Sequence, residues 1–99
     1  MQTEYLIAID EFCAIHDIEI SFISSLQQTG LIEITKKNDA EFIDMNQLQQ
    51  LEKFIRLYFE LDINMEGIET ITHLLKRISS LQDEVITLRN RLQFYESND

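Results

Sequence analysis

Ninety-nine residues, 11.7 kDa in all, allow one domain or a small domain with an appended helix, and a roomy enzyme cleft is not expected. With 44% hydrophobic and 26% charged residues, two Gly and no Pro, the chain is neither collagen-like nor low-complexity, and it carries enough apolar material to fold. Eighteen acidic against eight basic side chains give a formal net charge of −10, a field that repels phosphate backbones and acidic membrane surfaces and favours a basic partner.

The single cysteine, Cys13, has no internal disulfide partner, and the apolar run Leu6 to Ile9 is too short for a signal-peptide core, so a cytoplasmic location is the expectation. No segment reaches the roughly 18 consecutive apolar residues of a membrane span.

In chain order, Ile9, Phe12, Cys13 and His16 recur at helical spacing and predict a short first helix from Ile9 to His16 with one mostly apolar stripe. Asp17 interrupts it. Ser21 is placed to cap a second helix, with Ile23 and Leu26 inward and Gly30 as a left-handed terminator. Ile32 and Ile34 then alternate with Glu33 and Thr35. Lys36, Lys37, Asn38 and Asp39 break that run before Glu41-Phe42-Ile43, which predicts a small β-hairpin with the two lysines in its turn. A third helix from about Asn46 to Glu60 carries two apolar stripes, Leu48, Leu51, Ile55 and Tyr58 on one and Phe54, Leu57 and Leu61 on the other. So wide an arc needs cover on two sides.

The last segment gives the strongest pattern. Ile71, Leu74, Ile78, Leu81, Val85, Leu88, Leu92 and Tyr95 are spaced alternately by three and four, the seam of a coiled coil. Asn64 is placed to cap this helix, and a run to about Glu96 at ~1.5 Å per residue makes it on the order of 50 Å long. With Ile71 at position a, the a residues are Ile71, Ile78, Val85 and Leu92, and the d residues are Leu74, Leu81, Leu88 and Tyr95, a choice that favours two strands. In a parallel pair Glu84 would meet Arg89 and Arg91 would meet Glu96, while Arg77 would meet Gln82. An antiparallel pair could also join glutamate to arginine. The third helix of the same chain, about four turns long, could cover the front of the seam though hardly its end, so the sequence favours a homodimer over an intramolecular hairpin without fixing the dimer's direction. The division expected is a winged domain over residues 1–62 and a dimerising helix over 63–99.

The order helix-turn-helix, hairpin, helix and long terminal helix resembles the MerR-like winged helix-turn-helix proteins, which implies a mainly α fold with a small β-hairpin. Within that group Phe42-Ile43-Asp44, Leu48, Leu51, Ile55 and Leu57, followed by Glu60-Leu61-Asp62-Ile63-Asn64-Met65-Glu66-Gly67-Ile68, resembles the run from wing to terminal helix of the CbpM-type chaperone modulators, with its "(D/E)L-x-(I/L)-N-x-x-G-I" segment. DNA-binding MerR-type regulators read "G-V-S-x-x-T-(L/I)-R-Y-Y-E-x-x-G-L-(L/I)" through the turn and second helix. In this chain Ser24 and Ser25 stand where that arginine and first tyrosine would be, and Phe42 has no arginine beside it. No Lys or Arg precedes Lys36. Residues 1–44 hold nine acids and two lysines, a net of −7. Phosphate contacts supply most non-specific DNA affinity, so a second helix without cations argues against nucleic acid as partner, and a MerR-like DNA-binding transcriptional regulator is the alternative rather than the leading reading.

The CbpM resemblance implies a non-enzymatic modulator that binds the J-domain of a DnaJ/CbpA-type co-chaperone and inhibits its work with Hsp70. J-domains present a basic helix beside the His-Pro-Asp loop, and an acidic dimer suits that target. Asp10, Glu11, Asp17 and Glu19, around the first helix and its turn, are the candidate docking face; a merely solvated surface is the plainer explanation for any one of them. Phe22 is either an exposed anchor or a core residue. Cys13 and His16 at i and i+3 are too few for zinc, and no catalytic trio or phosphate-binding glycine loop is present. No metal or other cofactor, and no membrane partner, is expected.

Overall fold

The computed structural model describes residues 5–97, which divide into a compact unit reaching to Ile68 and a second unit from Glu69 onward. In the first unit the element order is β1 (Leu6–Ala8), α1 (Ile9–His16), α2 (Ile20–Gln28), β2 (Thr35–Lys37), β3 (Ala40–Asp44) and α3 (Leu48–Ile55). A 3-10 turn, Met45–Gln47, leads into α3 and a π-helical turn, Arg56–Glu60, leaves it. The final helix, α4 (Met65–Ser97), begins in the first unit and makes up the second. The fold is mainly helical with a small three-stranded antiparallel sheet, the arrangement of a winged helix-turn-helix domain followed by a long helix.

The first helix has the bounds its periodicity predicts, and Ile9, Phe12 and Cys13 are buried. His16 is not: it is exposed, its ring 4.2 Å from that of Phe12, because the helix stops there. Asp17 closes it in the left-handed region (φ 54°), a conformation that aspartate tolerates better than most residues. In α2, Ile23 and Leu26 are fully buried as expected. The cap position is Glu19, however, and Ser21 lies two residues further on, within the first turn; its hydroxyl donates to Glu19 Oε2 at 3.3 Å. The C-terminus closes in a Schellman motif: Gly30 N–H donates to Gln27 O and Leu31 N–H to Leu26 O, both at 3.0 Å, with Gly30 at φ 81°.

The hairpin forms with a different extent from the one expected. Lys36 and Lys37 lie within β2, Lys36 opposite Glu41, and the turn is Asn38-Asp39, both left-handed (φ 52° and 63°) as a two-residue hairpin requires. Leu31 to Ile34 is not strand. Its alternation still buries Ile32 and half-buries Ile34, but the backbone of Glu33 is satisfied by a side chain. Gln47 Oε1 accepts from Glu33 N–H at 2.8 Å, and Gln47 Nε2 donates to Glu33 O at 2.9 Å. The third strand, β1, pairs with β3 in the register Leu6 to Asp44, Ile7 to Ile43 and Ala8 to Phe42, and the sheet order is β1-β3-β2.

The core joins every helix of this unit to the sheet: Ile9, Phe12 and Cys13 of α1, Phe22, Ile23 and Leu26 of α2, Ile43 of β3, Leu51 and Phe54 of α3, and Ile68 from the first turns of α4, with Ile32 from the connection. The third helix departs from a continuous α-helix at Arg56, and the phase change leaves Tyr58 and Leu61, both expected inward, exposed.

At the start of α4, Gly67 N–H donates to Asn64 Oδ1 at 2.8 Å, so Asn64 is the N-cap. Gly67 is small for a steric reason: a Cβ there would come 2.6 Å from Ile63 Cγ2 and 3.2 Å from the capping oxygen. Asn64→Ala should remove the acceptor without filling space, lowering the urea midpoint by an amount equivalent to about 1 kcal/mol. An unchanged midpoint would mean that the cap is dispensable. The second unit is a single helix, exposed at every residue from His73 to Ser97.

Candidate protein-binding cleft and the exposed helix seam

The helix-turn-helix pair places α2 where a DNA reader would place its recognition helix, and the chemistry there is neutral. Residues 20–28 contain no charge, and Ile20, Ser21, Gln27 and Gln28 are its exposed side chains. The wing's Lys36 faces Glu41 across the strand pair, so opposite charges sit together where phosphate contacts would be needed.

A concavity of about 370 Å³ opens within this unit between the α1–α2 turn and the π-helical turn. The α1–α2 turn and α2 contribute Asp17, Glu19 and Phe22 to its lining, the π-helical turn contributes Tyr58 and Phe59, and the start of α4 contributes Met65. Phe22 is a core residue rather than a protruding anchor. Its ring lies 4.9 Å from Tyr58 and 5.2 Å from Phe59, centroid to centroid, and those two rings are 4.9 Å apart in an edge-on arrangement. Tyr58 and Phe59 remain 38% and 48% exposed. Two consecutive aromatic residues reach the same neighbour because Arg56–Glu60 winds as a π-turn, closed by Leu61 N–H donating to Arg56 O at 3.2 Å. Arg56 itself pairs with Glu60 at 3.7 Å on the exposed flank of that turn.

Of the five residues expected to contact a partner, three therefore converge: Asp17, Glu19 and Phe22. Asp10 and Glu11 are exposed in the first turn of α1, at the opposite end of that helix from Asp17, and do not line the cleft. Tyr58, Phe59 and Met65 were not singled out by sequence. The one signal in the sequence touches Tyr58 alone, through the excess width of the third helix's apolar arc, and Phe59 lies on neither stripe.

Cys13 is buried, and its thiol is pushed above its ordinary range first by loss of hydration and then by the negative charge of Asp10. The thiol thus stays protonated at neutral pH and is poorly nucleophilic. It does not meet His16 in a ligand set, and among the described residues no three His, Cys, Asp or Glu side chains are grouped to hold a metal ion. No helix among them is long and apolar enough to cross a membrane.

Along α4, Ile71 is half-buried and the remaining seam residues are exposed: Leu74, Ile78, Leu81, Val85, Leu88, Leu92 and Tyr95, from 46% at Val85 to 71% at Tyr95. So long an exposed apolar row is unusual on a monomeric protein.

The model of the family described as MerR HTH family regulatory protein matches residues 7–90. No curated protein and no solved structure matches the chain. The match spans the helix-turn-helix, the wing, α3 and most of α4, and the chain belongs to the MerR HTH regulatory-protein family.

Proposed function

We propose that this protein is a non-enzymatic, cytoplasmic modulator of the CbpM type that works as a homodimer through α4. It binds the J-domain of a DnaJ/CbpA-type co-chaperone and keeps that domain from Hsp70. The observation that carries this reading is the cation-free helix-turn-helix: α2 has no charged residue, and the chain up to Glu33 has no lysine or arginine to hold phosphate. The same unit displays acidic side chains and a cleft with exposed aromatic rings, the composition of a surface that meets a basic protein. Acidic residues speed the encounter, and the partly exposed aromatic rings hold the complex once formed.

The test sets two partners against each other. A purified J-domain should be retained by the immobilised chain at low ionic strength, and retention should fall as salt screens the steering charges. Added chain should also suppress J-domain-stimulated ATP hydrolysis by Hsp70. A gel shift with palindromic DNA should show no complex. Nanomolar, salt-sensitive binding to such a duplex would establish the alternative, a DNA-binding transcriptional regulator, and failure to retain any J-domain would remove the chaperone reading.

A further inference from the structure

Aromatic rings gathered at a protein surface are ordinarily there to be covered, and in this cleft the covering is half complete. Phe22 is buried, while Tyr58 and Phe59 remain partly exposed and line the same concavity as Asp17 and Glu19. The lining contains two carboxylates and no lysine, arginine or histidine. Ring faces carry the negative end of the aromatic quadrupole, so rings and carboxylates select for the same ligand property, a positive charge with an apolar stem. Of the two long cationic side chains, arginine fits better. Its planar guanidinium stacks on a ring while its in-plane N–H groups donate to carboxylates, and it is dehydrated more easily than an ammonium. The local π-turn supports a recognition role for this place, because such turns are rare and occur often at functional sites. The chain's net charge of −10 favours a cationic segment of a protein over any anionic ligand.

We propose that the cleft between the α1–α2 turn and the π-helical turn receives an arginine side chain from a basic segment of a partner protein, its guanidinium stacked on Tyr58 and Phe59 and paired with Asp17 and Glu19. This rests on the protein-binding reading above and gives that reading a contact point.

The probe is a helical alanine-rich peptide carrying one stripe of arginines, titrated into the isotope-labelled full chain and followed by amide chemical shifts. Matched peptides carry citrulline or lysine in place of arginine. Saturable shifts are expected at Phe22, Tyr58, Phe59 and Met65, with binding weakened about tenfold or more by citrulline and severalfold by lysine. The Asp17→Asn/Glu19→Gln variant should weaken arginine-peptide binding about tenfold; asparagine tolerates the left-handed backbone at position 17, and the carbonyl oxygen of glutamine can still accept from the Ser21 hydroxyl that Glu19 accepts from. The Tyr58→Leu/Phe59→Leu variant keeps apolar cover over Phe22 while removing the rings, and it should lose the arginine-over-lysine preference.

Equal binding of arginine and citrulline peptides, unchanged affinity in the double-amide variant, or shifts confined to other surfaces would overturn the proposal. So would equally tight binding of free argininamide, which would make the cleft a small-molecule site. The two readings fail separately. A J-domain retained equally by wild type and by the cleft variants sinks the cleft assignment alone, whereas arginine-peptide binding without J-domain capture sinks the chaperone reading alone.

Discussion

Leu81→Glu should turn a dimer into monomers. Leu81 lies at a d position in the middle of the seam and is about half exposed in the single chain. In the proposed coiled coil it would be desolvated against its counterpart. Placing a carboxylate there costs on the order of 3 kcal/mol for each chain, about 6 kcal/mol for the pair, roughly ten-thousandfold in the dimer's dissociation constant. The two like charges would also face each other. Light scattering on the eluting protein should fall from twice the chain mass to once. Lys76→Glu, at the outward f position, should leave the dimer mass in place and so control for added negative charge. A Leu81→Glu protein that keeps the dimer mass, or a wild-type chain that is monomeric at micromolar concentrations, would show that the seam does not join two copies. Because no seam residue contributes to the buried core of the first unit, the variant should retain a folded winged domain.

Phe54→Ala should be the most damaging single change to that domain. Phe54 is 1% exposed and is the bulkiest of the fully buried side chains. Removing the ring leaves a cavity and forfeits its burial, typically about 3–5 kcal/mol, out of a total stability of about 5–15 kcal/mol for a small domain. At roughly 4–8 °C per kcal/mol, the melting temperature should fall by more than about 12 °C. The transition should be followed by near-ultraviolet circular dichroism, where aromatic packing reports, since the far-ultraviolet signal also includes the long helix. A shift of only a few degrees would mean that neighbouring side chains close over the gap.

The elements read correctly from sequence are those whose information is local. The bounds of α1, the inward Ile23 and Leu26, the cap at Asn64 and the length of α4 follow from spacing and from single residues with one strong preference. What escaped depends on distant partners. Three residues, Leu6 to Ala8, hold no periodicity worth reading, and they form a strand because β3 lies beside them. The start of the hairpin was misplaced because Glu33 alternates like a strand residue while its backbone bonds to the Gln47 side chain, fourteen positions on. The inward placement of Tyr58 assumed an unbroken α-helical phase, and no proline or glycine announces the π-turn that shifts it. The cleft suffered most from this. Its acidic side and Phe22 were visible as a cluster along the chain, whereas Tyr58 and Phe59 arrive from a remote segment through a winding that sequence did not reveal.

The paired bonds between Gln47 and Glu33 have a mechanical meaning as well. They moor the root of the β2–β3 ribbon to the entrance of α3, so the ribbon is anchored at a second place beyond its own ladder and should travel with α3 rather than flap. A platform already held rigid surrenders little freedom when another molecule lands on it, and less of the attraction is then consumed in ordering.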